Sequence, residues 1–249
     1  MNKMTNQPAS TRPLEGKVAL VTGASAGIGH ATALALARRG ASLVVTARRQ
    51  DRLEDLCTQI RSMDGEAIFL AGDATEEASA LAAVGLALKT FGHLDILIAN
   101  AGAGNYKNLV DTSAAEYDDL MDVNMKSSFL FARHAAPAMI AQKAGIMLFI
   151  SSIAGLQGDA GEAVYCATKF AQVGFAQALD AELRKHNINV GCICPGGTKT
   201  EFALGKGRTE DYVRGSHMLN PEDVAEVIVF ACLQPPNTRI PQMTVHHMG

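Results

Sequence analysis

The sequence predicts a doubly wound α/β fold, in which a parallel sheet forms the middle layer of a three-layer α/β/α sandwich. Short apolar runs rich in β-branched residues follow one another along the chain, and each is continuously apolar. Strands that are buried on both faces have this pattern. Helical patterns of 10 to 25 residues separate the runs, and these lengths suit the crossover helices that join parallel strands.

Six runs are predicted as strands, at residues 18–22, 43–46, 67–70, 96–99, 146–150 and 190–193. Two helices have clear start signals. Ser113 and Glu116 have the spacing of a capping box, and Asn220 is followed by Pro221 and two acidic residues. No internal repeat or linker divides the chain, so we predict one domain over residues 15–249 after a flexible tail at residues 1–14.

The composition argues against several classes of function. The 249 residues carry 22 basic and 25 acidic side chains, a net charge of -3, with no long block of either sign. This pattern argues against nucleic acid or an anionic membrane as the partner and favours a small molecule. No apolar run approaches the roughly 18 residues that span a bilayer, and the first residues are polar, so we expect a cytoplasmic protein.

The cysteines are expected to be reduced and structural. Their number is odd and they lie in apolar surroundings, which is typical of thiols in a cytosolic protein. They are Cys57, Cys166, Cys192, Cys194 and Cys232. Neither a histidine nor a second cysteine pair completes a tetrahedral set with Cys192 and Cys194, so no metal site is predicted.

Three glycines mark the turn after the first predicted strand. Gly23, Gly27 and Gly29 stand between the apolar run KVALVT and a helical stretch, with the spacing G-x-x-x-G-x-G. Glycine permits a tight turn and a close approach to a pyrophosphate, whose charge is met by the N-terminus of the following helix. Any tight turn between a strand and a helix can also hold glycine. With the residues that follow, this turn predicts the dinucleotide-binding, or Rossmann, form of the fold.

The end of the second predicted strand indicates which nicotinamide cofactor is bound. A Rossmann fold usually meets the adenosine ribose about 20 residues after the glycines, with an acid for a free 2′-hydroxyl or an arginine for a 2′-phosphate. Here the sequence has Ala47, Arg48 and Arg49, and no acid before Asp51. Arginine holds a phosphate through a bidentate fork, so NADP(H) is favoured over NAD(H), with Arg48 the better candidate. The alternative is a solvated arginine pair at a helix start.

Tyr165 and Lys169 are four residues apart in a strongly helical stretch, so they share one face of the helix. A free tyrosine has a pKa near 10, and acid–base work at neutral pH requires that its phenolate be stabilised by about 3 pKa units. The ammonium group of Lys169 can supply much of that stabilisation. The same spacing also occurs by chance on many helices, so the pair needs the support of other residues.

Other motifs supply that support. The segment TGASAGIG, NAG at residues 100–102, Asn124, Ser152 thirteen residues before Tyr165, the YxxxK pair and PGGTKT together closely resemble the short-chain dehydrogenase/reductase family, over nearly the whole chain. The resemblance implies hydride transfer between a nicotinamide and a carbonyl or alcohol. It implies that Tyr165 is the acid/base, and that Lys169 lowers the tyrosine pKa and holds the nicotinamide ribose. It also implies that Ser152 bonds the substrate oxygen and that Asn124 supports a water leading protons to Lys169.

By the same resemblance, the cofactor contacts lie on the glycine turn, at the ends of the following strands and in the loop after the sixth strand. They are Gly23, Ser25, Gly27, Ile28, Gly29, Arg48, Arg49, Asp73, Ala74, Asn100, Ala101, Gly102, Tyr165, Lys169, Pro195, Gly196, Thr198 and Thr200. Asp73 has the alternative role of a helix cap. Adjacent residues of a strand point to opposite faces, so only one of Ser151 and Ser152 can meet Tyr165, and the spacing in the family selects Ser152. Ala99 and Thr198 depart from the family pattern, but neither change removes a proton-transfer group.

The substrate end is described only in outline. Residues 202–219 contain three glycines and are predicted as a lid or, alternatively, as a plain surface connection. Residues 156–162 are expected to line the pocket. Five apolar residues fall on helices that in this family pack across subunits, which implies a homotetramer or homodimer, although the same residues can simply be core. They are Met139, Ile140, Phe170, Val173 and Phe175.

The leading hypothesis is therefore an NADPH-dependent ketone or aldehyde reductase. One alternative is an NAD-dependent secondary alcohol dehydrogenase on the same scaffold. Another is a nucleotide-sensing regulator without turnover, which the presence of all four proton-handling residues argues against. Nothing in the sequence favours a particular substrate, stereochemistry or reaction direction.

Overall fold

Seven parallel strands form a single sheet in the computed structural model, which describes residues 12–248. The strands are β1 (Val18–Thr22), β2 (Ser42–Ala47), β3 (Ala67–Ala71), β4 (Ile96–Ala99), β5 (Gly145–Ile150), β6 (Ile188–Pro195) and β7 (Gln242–Val245). Their order across the sheet is β3-β2-β1-β4-β5-β6-β7. The predicted doubly wound parallel sheet is therefore confirmed.

Helices cover both faces of the sheet. They are α1 (Gly27–Arg38), α2 (Gln50–Arg61), α3 (Glu77–Phe91), α4 (Ala114–Met121), α5 (Ser127–Gln142), α6 (Ala163–Leu183), α7 (Glu210–Gly215) and α8 (Pro221–Cys232). Side chains of α1, α2 and α8 form one apolar cluster with the sheet, and those of α3, α5 and α6 form a second. Ala19 and Val21 belong to the first cluster and Leu20 to the second. Both faces of β1 are thus buried, which explains its continuously apolar sequence.

All six predicted strands are present, and the structure adds β7 at the edge of the sheet. This strand pairs only with β6, and Gln242 and Thr244 within it are exposed. Its sequence is therefore half polar, unlike the buried strands, and it was missed for that reason.

Both predicted helix starts are confirmed. The backbone N–H of Glu116 donates to the Ser113 hydroxyl (3.2 Å), and the Glu116 carboxylate accepts from the backbone N–H of Ser113 (3.0 Å). Asn220 precedes Pro221 at the start of α8, and its backbone N–H donates to the Asp223 carboxylate (2.9 Å).

The predicted N-terminal tail falls mostly outside the described residues, which begin at residue 12. Leu14, which the prediction included in the tail, is buried in the apolar cluster of α1, α2 and α8. Its backbone N–H donates to the carbonyl of Arg39 (2.8 Å). Leu14 therefore belongs to the folded domain and not to the tail.

The strand order reverses between β1 and β4, so a crevice opens at the carboxyl ends of these two strands. Ligands of open parallel sheets bind at such a crevice. A cavity of about 1070 Å³ lies here, lined by the residues that follow β1 and β4. Within residues 12–248, none of the helices combines the length and the hydropathy needed for a bilayer crossing.

Candidate active site

One cleft at the carboxyl ends of the strands gathers almost all the predicted site residues. The predicted residues on its wall are Gly23, Ser25, Gly27, Ile28, Arg48, Arg49, Asp73, Ala74, Asn100, Ala101, Gly102, Ser152, Tyr165, Lys169, Pro195, Gly196, Thr198 and Thr200. Gly29 and Asn124 are absent from the wall, and both are buried behind it.

The glycine turn is packed too tightly for side chains. A Cβ atom on Gly29 would lie 2.5 Å from the carbonyl oxygen of Gly23 and 2.5 Å from the Asn100 side-chain nitrogen. That nitrogen donates to the carbonyl of Thr22 (2.9 Å), which ties the end of β4 to the end of β1. The turn leads directly into α1, whose first N–H groups lack helical partners. This end of the cleft therefore fits the pyrophosphate of a dinucleotide.

The expected adenosine end holds a cluster of charged side chains. Arg49 donates to the Ser25 hydroxyl through Nε (3.2 Å) and Nη2 (3.0 Å), and through Nη1 to the Glu201 carboxylate (2.8 Å). Arg52 donates to the other oxygen of Glu201 (2.6 Å). The arginine that contacts the glycine turn is thus Arg49, whereas the prediction preferred Arg48.

Arg48 lies on the cleft wall, where its charge helps to lower the pKa of Asp73. The main cause of that lowered pKa is the backbone N–H of Thr75, which donates to the Asp73 carboxylate (2.9 Å). The Thr75 hydroxyl donates to the same oxygen (2.9 Å). Asp73 therefore lines the cleft and braces the turn after β3, whereas Glu76 is the N-cap of α3. The alternative role of Asp73 as a helix cap was wrong, and its contact with the cofactor stays a prediction.

The proton-handling groups come from α6 and the end of β5. Tyr165 and Lys169 lie on one face of α6, with the lysine Nζ 5.7 Å from the centre of the tyrosine ring. The Ser152 hydroxyl donates to the carbonyl of Pro195 (3.4 Å) and interacts with the Tyr165 hydroxyl. Ser151 points away and donates to the backbone carbonyl of Lys169 (3.0 Å). Both serines line the cleft, but of the two it is the Ser152 hydroxyl that interacts with Tyr165.

The pKa of Tyr165 is raised, mainly by burial, and the neighbouring Tyr106 adds to the effect. Ser152 and Arg208 act in the opposite direction. Lys169 is not among the causes of this shift, and burial lowers the pKa of Lys169 itself to about 8. The lysine Nζ donates instead to the carbonyl of Ile150 (3.0 Å) and to the side-chain oxygen of Gln172 (2.8 Å).

Asn124 is held in a π-helical turn, Asp122–Lys126, between α4 and α5. Its side-chain oxygen accepts from the backbone N–H of Ala103 (2.8 Å). Its side-chain nitrogen donates to the carbonyl of Ala103 (3.0 Å) and to the Thr168 hydroxyl (2.9 Å). The asparagine thus fastens the loop after β4 to α6.

Gln172 joins Asn124 to Lys169. Its side-chain nitrogen donates to the backbone carbonyl of Asn124 (2.9 Å) and to the Ser128 hydroxyl (2.8 Å), while its oxygen accepts from Lys169. The side chain is fully buried. Gln172 was not identified from the sequence. The sequence could have indicated Gln172, because it is a polar residue three positions after Lys169 on the same helical face.

Aromatic rings form the substrate end of the cleft. Tyr106 packs edge-on against Tyr165 with ring centres 5.7 Å apart, and Phe202 lies 5.8 Å from Tyr165. Leu156, Gln157 and Gly158 line the cleft, as do side chains of the predicted lid segment. Tyr106 was missed because it lies in a loop without a recognisable pattern. Part of the lid segment folds as the short helix α7.

Of the five apolar residues expected at a subunit interface, Met139 and Val173 are buried within the chain itself. The alternative role as core residues therefore holds for these two. Phe170 is 47% exposed on α6.

All five cysteines are buried and unpaired. In the part of the chain that the structure describes, residues 12–248, histidine, cysteine and acidic side chains do not gather in threes or more as a metal site needs.

Known proteins share this architecture. The model of the short chain dehydrogenase family matches residues 17–211. An uncharacterized oxidoreductase from Thermotoga maritima is 37% identical over 192 residues, which is 77% of this chain and 76% of the relative. An uncharacterized oxidoreductase from Listeria innocua is 34% identical and covers 93% of this chain and 96% of its own length.

Solved structures agree with the sequence relatives. A metagenomic short-chain oxidoreductase in complex with NADP is 34% identical, covers 95% of this chain and 99% of its own, and superposes with a TM-score of 0.83. An alcohol dehydrogenase from the archaeon Thermococcus sibiricus, complexed with 5-hydroxy-NADP, is 26% identical with a TM-score of 0.85, covering 93% of this chain and 97% of its own.

Proposed function

The chain belongs to the short-chain dehydrogenase family, and we propose that it is an NADP(H)-dependent reductase of ketones or aldehydes. The observation that carries the proposal is the meeting of Tyr165, Ser152 and Lys169 in the cleft that begins at the glycine turn. When bound there, the nicotinamide cofactor supplies or accepts the hydride. The chain's own groups must then bind the substrate oxygen and move a proton.

Ser152 and Tyr165 are the groups for the substrate oxygen. Both hydroxyls face the cleft, so a carbonyl oxygen placed between them accepts two hydrogen bonds that strengthen as negative charge develops. Tyr165 then gives its proton to that oxygen. Lys169 stands beside the tyrosine ring, and its positive charge favours the phenolate that remains.

The raised pKa of Tyr165 agrees with its role as the proton donor in a reduction. A phenol whose pKa lies above its ordinary value is protonated at neutral pH and can act as the acid.

Two observations support NADP(H) as the cofactor. Arg48 and Arg49 line the cleft after β2, and Ala47 occupies the strand end where an acid binds the ribose of NAD(H). The two similar structures named above were solved with NADP or an NADP derivative. The opposing observation is the Glu201 carboxylate beside Arg49, which keeps an NAD-dependent alcohol dehydrogenase as the alternative.

The acid–base proposal is tested with Tyr165→Phe. We expect this variant to bind NADPH as the wild type does, because the ring and its packing remain, and to lose turnover on a panel of ketones, aldehydes, quinones, steroids and sugars. NADPH absorbance measures turnover, and equilibrium titration measures cofactor binding. Equal activity of the variant and the wild type would refute the tyrosine mechanism. Tight NADPH binding by a wild type without any turnover would favour the nucleotide-sensing regulator.

The choice of cofactor is tested with the double variant Arg48→Ala, Arg49→Ala. Loss of the guanidinium groups should weaken NADPH binding and leave NADH binding nearly unchanged, since only NADPH carries the 2′-phosphate. Unchanged preference between the two cofactors would discard the assignment of the arginines and favour the NAD-dependent alternative.

We further propose a cytoplasmic homotetramer or homodimer. The five unpaired thiols support a reducing compartment. Phe129 on α5 and Phe170 on α6 are 40% and 47% exposed, and such side chains on adjacent surface helices support association with another copy. Light scattering of the purified protein tests the assembly.

A further inference from the structure

The segment after β6 folds over the substrate end of the cleft and docks on Tyr106. The backbone N–H of Tyr106 donates to the carbonyl of Lys206 (3.0 Å). Gly207 has φ +107°, and a Cβ atom there would lie 2.4 Å from the Cβ of Tyr106. Backbone bonds from Arg208 to Ala203 and from Gly205 to Arg208 close the segment into a tight turn. These backbone hydrogen bonds therefore fix the main chain of Arg208 beside Tyr106.

The Arg208 guanidinium lies against two aromatic rings. Its central carbon is 5.2 Å from the ring centre of Tyr106 and 5.7 Å from that of Phe202. Both rings also pack on Tyr165, so the cation stands one ring away from the proposed proton donor. The side chain is half-buried and lines the cleft. Among residues 12–248, it forms no ion pair with a carboxylate.

We propose that Arg208 binds an anionic group of the substrate, so that the protein acts on carbonyl compounds carrying a carboxylate at the end remote from the reacting carbon. This inference rests on the proposed function and specifies its substrate class. Arginine meets a carboxylate with a planar, bidentate fork. Partial removal from water strengthens this attraction. The stacked rings hold the guanidinium in place before the substrate arrives, which reduces the entropy lost on binding.

Other charged groups surround this end of the cleft. Lys206 lines it on the same segment, whereas Glu162 and Asp159 lie across it at the start of α6. Burial raises the pKa of Glu162, Asp159 raises it further, and Arg208 lowers it. Glu162 therefore feels the charge of Arg208 without a direct ion pair. Its carboxylate opposes an anionic ligand, so Arg208 and Glu162 should affect such a substrate with opposite sign.

The test compares oxo-carboxylic acids with short, medium and long spacers against their methyl esters, with NADPH as the reductant. The measured quantity is the ratio of kcat/KM for each acid to kcat/KM for its ester. Arg208→Met should lower this ratio by about 10- to 100-fold, because a hydrogen bond to a charged group is lost. Arg208→Lys should recover part of it, and Glu162→Gln should raise it. Effects on the pKa of Tyr165 act on acid and ester alike and cancel in the ratio.

A binding measurement separates this inference from the proposed function. Calorimetric titration with saturated carboxylic acids of matching length needs no turnover, and the wild type should bind them more tightly than Arg208→Met does. A wild type that binds the carboxylate through Arg208 but reduces no carbonyl compound would support the anion site and contradict the reductase. Equal acid-to-ester ratios in wild type and Arg208→Met, or carboxylate binding that does not change with the variant, would overturn the anion site. If a carbonyl compound with a phosphate in place of the carboxylate binds more tightly than every carboxylic acid tested, the choice of carboxylate would be overturned.

Discussion

The Nζ atom of Lys169 lies 2.8 Å from the side-chain oxygen of Gln172, and through this glutamine the lysine is joined to the backbone of Asn124. All three side chains are buried. A neutral amide that accepts from an ammonium group fixes its position without adding a charge that would compete with Tyr165. Gln172 does not line the cleft, so it is a positioning residue for Lys169.

Replacing Gln172 should lower the rate and leave substrate binding intact. We expect Gln172→Leu to lower kcat by about tenfold or more, since a hydrogen bond to a charged group contributes roughly 1.5–3 kcal/mol, and to leave KM for the carbonyl compound unchanged. Gln142→Leu is the matched control, because Gln142 also bridges the backbone, at Leu94, but far from the cleft. A similar fall in kcat for both variants would reduce Gln172 to a structural role.

The pH profile gives a second measure of the same contact. In Gln172→Glu a carboxylate faces Lys169, which should raise the lysine pKa above its value of about 8. The loss of activity at high pH, where Lys169 deprotonates, should therefore move to higher pH. Stopped assays of kcat from neutral to alkaline pH measure the shift, and an unmoved alkaline limb would contradict the contact.

Glu201 should weaken the binding of a 2′-phosphate. The Glu201 carboxylate accepts a hydrogen bond from Arg49, and its negative charge repels a phosphate that binds to the same arginine. We expect Glu201→Gln to lower KM for NADPH a few-fold, as suits an exposed ion pair, with little change for NADH. Glu226→Gln is the control, because Glu226 forms a similarly exposed pair with Arg39, the residue after α1, outside the cleft. If KM changes equally for NADPH and NADH in Glu201→Gln, Glu201 does not affect recognition of the 2′-phosphate.

Burial of Lys169 should appear in the pH dependence of stability. Its pKa is about 8 in the folded chain, against about 10.4 in an unfolded one. Between these values the unfolded chain binds more protons, so stability should rise with pH, by on the order of 3 kcal/mol. Below pH 8 the lysine is protonated in both states, and the cost of burial stays constant. Urea unfolding of the wild type and of Lys169→Met across this pH range measures the effect. If the difference in unfolding free energy between the two proteins does not change with pH, the prediction is wrong.

The glycine turn offers a matched pair of substitutions. Gly29→Ala places a methyl group 2.5 Å from the Gly23 carbonyl oxygen, which should cost about 1–3 kcal/mol and weaken NADPH binding. Gly85→Ala, in the exposed part of α3, meets no atom within 4 Å and should stabilise the chain by roughly 1 kcal/mol. Urea midpoints of the two variants should therefore move in opposite directions.

Local patterns were sufficient for six of the seven strands, and most residues of the cleft followed from the resemblance to the family. Buried strands are apolar on both faces, and Tyr165 and Lys169 share a face because of their spacing. The contacts that were missed join distant parts of the chain. Gln172 meets Asn124 across 48 positions, and Arg49 meets Glu201 across 152. Sequence periodicity cannot predict such pairs, because the two residues meet only after the helices and loops have packed.

The π-helical turn at Asp122–Lys126 has a consequence for chain length. Such a turn holds an extra residue compared with an α-helical one. Deleting Met125 or Lys126 would let α4 and α5 continue as a regular helix, and would rotate Asn124 by about 100° relative to α5. The shortened protein should still fold, because the cap at Ser113 and the apolar face of α5 are retained. Its asparagine, however, would no longer reach Ala103 and Gln172, so this stretch should tolerate substitution at its surface far better than a change of length.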